Sequence, residues 1–519
     1  MTVSDGMAER AALRGEPPQT PMLVIAGGEI VERGRRRRAD ISIVDGRIVH
    51  VGPPDQHPFG ESVAPGRAQQ RTDRQLAGGE AGVTAFSIHD LRSMLEDEVE
   101  AGEPLLAAVT LIDAAGCAVT SGFVDLCARV AEPLAVDVEV MQLAAGSAAL
   151  GGVTALVAQP DTDPPLDRLG QLAELRRVAA SAPHCHIVPA AALTAGRSGA
   201  HLAPMAELAE AGVRWFTDTG PQRNWDLLCR ALQYAAPLGA TVAVRPSGST
   251  VGISASMHEG AVSARMGVAG EPAEAEQAAA AAAISAARRV GGCLHLDRIS
   301  AAATVELVRA AKAEGLDVSA SVTAEHLLFI DADAASFDTL MRAEPPYRTE
   351  VDRAALVAGV ADRTIDAVVS AHTPLPPHDK DVPFDEAPPG FASLETSAAI
   401  VLSHPDIELE AALDALSWRP AALAGVTHLG GGPIQPGQPA NLVVIDLDRP
   451  WTQITRDKTL ARVSPHHDRR LNAQVTETIV GGSWAVRAGY PEIPDDLARD
   501  RESHRVHERW RRLLPGPAA

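Results

Sequence analysis

From Met22 to about Pro53 apolar and polar residues alternate around turn signals, first in LVIAGGEIV and then in ADISIVDGRIVHVG. That period of two is the signature of half-buried strands, and Asp45-Gly46 between two such runs predicts a hairpin turn. Two or three short antiparallel strands are therefore expected at the start of the chain. The pattern breaks over about 54–103 into Gly, Pro, Gln and Arg with one acidic helical stretch, SIHDLRSMLEDEVE, and resumes at AAVTLID. The interruption reads as an insertion.

Beyond Thr120 the rhythm changes to short apolar runs separated by Ala-rich helical stretches. GFVDL, VTALVAQ, CHIVPAAAL, VRWFTD, ATVAVR, CLHL, DVSASV and DAVVSA read as strands; DVEVMQLAAGSAAL, RLGQLAELRRVAASA, AEQAAAAAAISAARRV and AAATVELVRAAKAEG read as helices. Eight strand-helix units predict an α/β fold, a (β/α)8 barrel over 119–425. After about Gly425 short strands return in ANLVVIDLD and ETIVGGSWAV, and these are expected to join 22–53 and 104–118 in a small β-sandwich that runs to 490. The tail, 491–519, holds a charged, Arg-rich helical stretch (DDLARDRESHRVHERWRRLL) that is either solvated or partner-binding.

Composition narrows the function classes. Of 519 residues 46% are apolar and 22% charged, enough for an ordinary buried core. Lys and Arg number 46 against 67 Asp and Glu, a net charge of −21 that repels polyphosphate and anionic lipid, so neither nucleic acid nor a membrane surface is an expected partner. No run of about 18 apolar residues occurs and the N-terminus lacks a signal-like pattern, so a cytoplasmic location is expected. The five cysteines (Cys117, Cys127, Cys185, Cys229, Cys293) form no C-x-x-C pair and indicate neither a disulfide framework nor a structural zinc site.

In a barrel of this type chemistry sits at the C-terminal ends of the strands. The phrases there and around them are SGFVDL...EP, GGVTALVAQPDTDP, FTDTG, GEPAEAE, HLDRIS, TAEHLL, EPPYR, IDAVVSAHTP and FASLET, and their order and intervals resemble the dihydroorotase branch of the amidohydrolase family. The resemblance spans nearly the whole chain except the insertion and the last helix. It implies a barrel with a flanking sandwich, and hydrolytic opening and closing of a cyclic ureide by a zinc-bound hydroxide.

Against that pattern this chain departs at the residues that matter. Where the family has His-x-His after the first strand stand Cys127, Ala128 and Arg129; where a His ends the fifth strand stands Arg245. The His of His-x-x-His-Val-Ser becomes Arg298, with His295 retained, and the Asp that serves as ligand and general base becomes Ala371. Asp218 alone could survive of the carboxylate bridge. Arginine stays protonated and has no acceptor, so three ligand positions have become fixed cations; no metal is expected, although the family normally holds zinc. The substrate clamp is altered too: Ala131, Asp161 and Leu375 stand where the family has Arg, Asn and His. Catalytic, substrate and metal sites are thus all expected to be degenerate.

The leading expectation is a catalytically inactive dihydroorotase-like subunit. By resemblance, such subunits assemble with aspartate carbamoyltransferase in pyrimidine biosynthesis, as homo- or hetero-oligomers. A second reading is an active cyclic amidohydrolase with an atypical metal site regrouping Cys127, Asp218, His295, His326 or His372. A third is a small-anion sensor in which Arg129, Arg245 and Arg298 converge on one barrel mouth. The same arginines are expected to pair with Asp125, Asp218 or Glu132 in place of the lost dication. His295, His326 and His372 are expected to be hydrogen-bonded within the barrel mouth, and Gly122, Gly151, Gly152, Gly220 and Pro345-Pro346 to be turn and packing residues. Arg348 is expected to pair structurally with a carboxylate.

Overall fold

The computed structural model describes residues 22–53, 109–130, 138–221, 224–247, 255–453, 463–487 and 489–491. The acidic stretch of the insertion, the terminal helix, Ala131 and Glu132 lie outside the described residues.

Seven strands precede the barrel: β1 (Met22–Ala26), β2 (Glu29–Glu32), β3 (Arg35–Arg38), β4 (Asp40–Val44), β5 (Arg47–Gly52), β6 (Val109–Asp113) and β7 (Ala118–Ser121). β4 and β5 form the expected hairpin, with Asp45 and Gly46 both at positive φ, 49° and 76°, as a two-residue turn between antiparallel strands requires. Not every neighbour is antiparallel: β1 pairs with β6, and β2 with β7, in parallel.

The barrel follows with β8 (Phe123–Ala128), β9 (Val153–Ala158), β10 (His186–Pro189), β11 (Trp215–Thr217) and β12 (Thr241–Val244). After a short ribbon of β13 (Met257–His258) and β14 (Gly270–Glu271) come β15 (Cys293–Leu296), β16 (Val318–Thr323) and β17 (Ala367–Val369). Two parallel sheets, β10-β9-β8 and β11-β12-β15-β16-β17, are joined by the bridges Ala191↔Phe216 and Ala128↔His372, which close the ring. The eight barrel strands are those read from the sequence. β8, β9, β12 and β16 are buried at every position, because helices cover one face and opposing strands the other. Alanine suits the covering helices: Ala280, Ala283, Ala286 and Ala287 of Ala273–Val290 are all buried, and a methyl lets helix and sheet approach closely.

β18 (Leu442–Asp446), β19 (Trp451–Thr452), β20 (Arg470–Leu471), β21 (Gln474–Val480), β22 (Ser483–Arg487) and β23 (Tyr490–Pro491) complete the chain. β18 inserts between β21 and β7, giving a seven-stranded sheet β23-β22-β21-β18-β7-β2-β3. It packs on the sheet β5-β4-β1-β6 through Ile30, Val119, Leu442 and Val444 on one side and Leu23, Ile25, Ile41 and Ile43 on the other. The chain then crosses from β7 to the barrel at Gly122, where an added Cβ would lie 2.0 Å from Thr154 Oγ1; only glycine fits.

Candidate functional site

The barrel mouth is built from the loops after β8, β9, β11, β12, β15, β16 and β17. Cys127, Arg129, Asp161, Arg298, Glu344 and His372 are among the residues lining a cavity there of about 40 Å3. That is room for a few waters.

The space is taken by guanidinium groups, each already paired. Arg129 bonds Asp161; Arg298 Nε donates to Asp297 Oδ2 at 2.9 Å; Arg245 Nη1 meets Glu344 Oε1 at 2.8 Å. The side chains of Arg298 and Asp297 are only 12% and 8% exposed, so that pair is desolvated. Burial opposes the charge on Arg298, and Asp297 first among its anionic neighbours more than offsets this and holds it protonated. Glu344 binds the group together: burial pushes its carboxyl up, but Arg245, Arg298 and Arg129 together pull it below the usual range. Arg129, Arg245 and Arg298 do converge on one mouth, as read from the sequence. The expected partners are corrected, however. Asp125 accepts instead from the backbone N–H groups of Cys127 and Ser370, and Asp218 from Thr194 N at 3.0 Å and Thr194 Oγ1 at 2.6 Å. Asp218 lines a neighbouring cleft with Arg197 and Asn224, whereas Thr219 lines the mouth cavity. Three arginines and three carboxylates cancel, and an incoming anion would have to displace Asp161, Asp297 or Glu344.

Arg245→Ala has a small expected cost for this reason. Glu344 is 50% exposed and keeps Arg298 and Arg129 as neighbours, so it is not stranded when Arg245 leaves. We expect a loss of about 1 kcal/mol in denaturant unfolding, in the range of partly solvated pairs. A loss several times larger would show that Glu344 depends on Arg245 alone.

The histidines are held neutral. His295 bonds Ser319 Oγ (2.9 Å) and Ser321 Oγ (3.0 Å) and tilts against Trp215, and burial pulls it down to about 4. His326 bonds Thr323 Oγ1 (2.7 Å) and the Pro345 carbonyl (3.1 Å) and is also lowered by burial to about 4. His372 accepts from Ser393 N at 3.2 Å, its Nε2 is buried without a hydrogen-bond partner among the described residues, and burial lowers it to about 3. The expectation of hydrogen-bonded histidines thus holds fully for two and by one nitrogen for the third.

The backbone at the mouth is strained. Thr219, Arg298 and Ala371 sit at φ of 61°, 56° and 49°, a region costing an L-residue roughly 1–2 kcal/mol. These positions keep a conformation that their side chains do not require.

The donor set does not fit zinc. Cys127 is buried with its Sγ 4.0 Å from Asp297, and burial pushes the thiol far up. Among the described residues no three of His, Cys, Asp and Glu are placed to hold one ion. Arg298 lies beside Cys127 as a fixed cation. At the clamp positions Leu375 is buried and apolar, and Asp161 is occupied by Arg129.

Sequence reasoning passed over Asp297 and Glu344, although both lie within quoted phrases, HLDRIS and EPPYR. Charge arithmetic could have found Asp297, which directly follows β15; Glu344 lies well beyond the end of β16 and nothing local in the sequence marks it as a partner. Arg348 is found as expected, bonding Glu271 Oε1 at 3.2 Å and lying 3.7 Å from Glu276 Oε2.

Comparison with known proteins places the chain. A family described as "Dihydro-orotase-like" matches residues 116–304. The dihydroorotase of Mycobacterium tuberculosis is 35% identical over 392 residues, covering 73% of this chain and 90% of that protein. The dihydroorotase of Streptomyces coelicolor is 34% identical over 387 residues, again covering 73% and 90%. In fold, the L-hydantoinase (dihydropyrimidinase) from Arthrobacter aurescens superposes with a TM-score of 0.70 over 91% of this chain and 97% of that one, at 20% identity. Among the described residues no helix is long and apolar enough to cross a membrane.

Proposed function

Because the chain belongs to the dihydroorotase-like family of the amidohydrolase superfamily and yet fills its barrel mouth with ion-paired arginines, we propose that it is a catalytically silent member retained for assembly. One observation carries this reading: Arg298, a permanent cation, is bonded to Asp297 beside Cys127 in a mouth with about 40 Å3 of free space. A water cannot be activated there by a dication, and Ala371 offers no carboxylate to take its proton. A barrel that keeps its packing while losing ligands, base and clamp is kept for what its surface does. By resemblance the expected partner is aspartate carbamoyltransferase.

The identity to proteins named dihydroorotase supports a second reading, an active cyclic amidohydrolase with a rearranged metal site. One experiment separates the two. Purified protein should hold well under one zinc per chain and show no ring opening of dihydroorotate above background, while co-expression with the transcarbamoylase of the same organism should give a shared peak on size exclusion. Stoichiometric zinc that resists dialysis, with turnover, would establish the second reading instead. Two separate peaks would remove the assembly role.

A further inference from the structure

The edge of the sandwich carries a charged feature that the barrel does not use. β3 is four consecutive arginines in a chain of net charge −21. It pairs with β2 on one side only, from Glu29↔Arg38 to Glu32↔Arg35, and is the last strand of its sheet. Among the described residues, the backbone N–H and C=O groups of its outer side therefore meet no further strand. Arg37 is engaged, donating to Glu32 Oε2 at 3.2 Å and to the Ile434 carbonyl at 3.1 Å. Arg33, just before the strand, pairs with Asp414 and lies over the Trp418 ring at 5.6 Å. Arg35, Arg36 and Arg38 are exposed, and among the described residues no carboxylate is ion-paired to any of them.

An edge strand needs only scattered charge, of either sign, to discourage strand addition. Four like charges in a row repel one another and exceed that need. A free edge with unpaired cations alternating between its two faces is complementary to an extended segment with carboxylates at cross-strand positions, about 5 Å away in a ladder. A second copy docking edge to edge would set arginine against arginine. Polyphosphate would meet only a few cations on a strongly acidic molecule.

We propose that β3 docks a carboxylate-rich extended segment of a partner protein as an added strand, with acidic side chains opposite Arg35, Arg36 and Arg38. This surface does not depend on whether the barrel is silent.

The probe is a fluorescent peptide of about ten residues with four consecutive Glu flanked by Val, so that carboxylates reach both faces of the edge, titrated onto the full chain by anisotropy. Binding should weaken by at least about tenfold in Arg35→Glu/Arg36→Glu/Arg38→Glu and on raising salt to physiological strength. Should the reversal variant fail to melt cooperatively, Arg35→Gln/Arg36→Gln/Arg38→Gln serves with the same expectation. A peptide with alternate backbone nitrogens methylated keeps its charge but cannot extend the ladder, and should bind several-fold less tightly. Absence of peptide binding, equal binding by the variants or by the methylated peptide, or tighter binding of a DNA duplex of equal charge would each overturn the proposal.

Discussion

Replacing Arg348 by alanine should cost roughly 3–5 kcal/mol, the most damaging single truncation of a charged residue we expect in this barrel. Arg348 is buried between the ribbon β13-β14 and the loop after β15. Its guanidinium donates to Ser300 Oγ (3.0 Å), to the Glu271 carbonyl (2.5 Å) and to Glu271 Oε1 (3.2 Å), and lies 3.7 Å from Glu276. Glu276 is itself 1% exposed and accepts from the Ser300 and Ala301 backbone N–H groups, both at 2.9 Å. Removing the cation strands a carboxylate that water cannot reach. The contrast with Arg245 lies in the partner, since Glu344 is half open to solvent. Arg348→Lys should recover only part of the loss, because a point charge cannot reproduce three bonds from one planar group. Denaturant midpoints for Arg348→Ala within experimental error of the unmodified protein would refute this account of the pair.

Acid should destabilise the protein through its buried histidines. His295, His326 and His372 are lowered by burial to about 4, 4 and 3, and His186 and His404 are lowered by the same cause. In the unfolded chain each would titrate near 6.5. Their contribution is present in full above about pH 6.5 and is lost as pH falls towards about 4, because only the unfolded state takes up the protons. Asp125 acts in the opposite sense. Burial raises it to about 6, so between about 4 and about 6 the folded state binds a proton that the unfolded state does not; Asp218 and Glu395, also raised by burial, add to this. Taking His295, His326 and His372 against Asp125, the unfolded state gains about two more protons near pH 5.5, a slope of roughly 2–3 kcal/mol per pH unit. The melting temperature should therefore drop steeply between about pH 6.5 and about pH 5. A flat profile over that interval would show that these imidazoles are solvated.

Both expectations rest on groups whose identity was plain in the sequence and whose partners were not. Arg298 and His295 could be read off HLDRIS, but Asp297, between them in the same phrase, gained its meaning only when the loop after β15 turned at φ 56° and set the two side chains in contact. Glu344 is separated from Arg245 by about a hundred positions in the chain, and Asp161 from Arg129 by 32, so no local pattern links them.

What the sequence by itself determined is the architecture and the loss of donors. Runs of apolar residues spaced by Ala-rich helices specify eight parallel strands because each strand must be covered on both faces, and alternation at the N-terminal end specifies short strands outside the barrel. Tertiary structure buries every position of β4 and β7 and nearly all of β18, and the seven-stranded sheet packs also on the barrel core through Ala118, Val443 and Ile445. Residue type alone settles that Arg129, Arg245, Arg298 and Ala371 cannot bind a cation, since that is a property of the functional group and not of its surroundings. Tertiary structure decided what those arginines do instead. Pairing depends on distance and burial, which the closing of the barrel creates by bringing strand ends far apart in sequence to one mouth. There Asp161, Asp297 and Glu344 take the cations, Asp218 turns aside to Thr194, and the balance of charge leaves about 40 Å3 of free space.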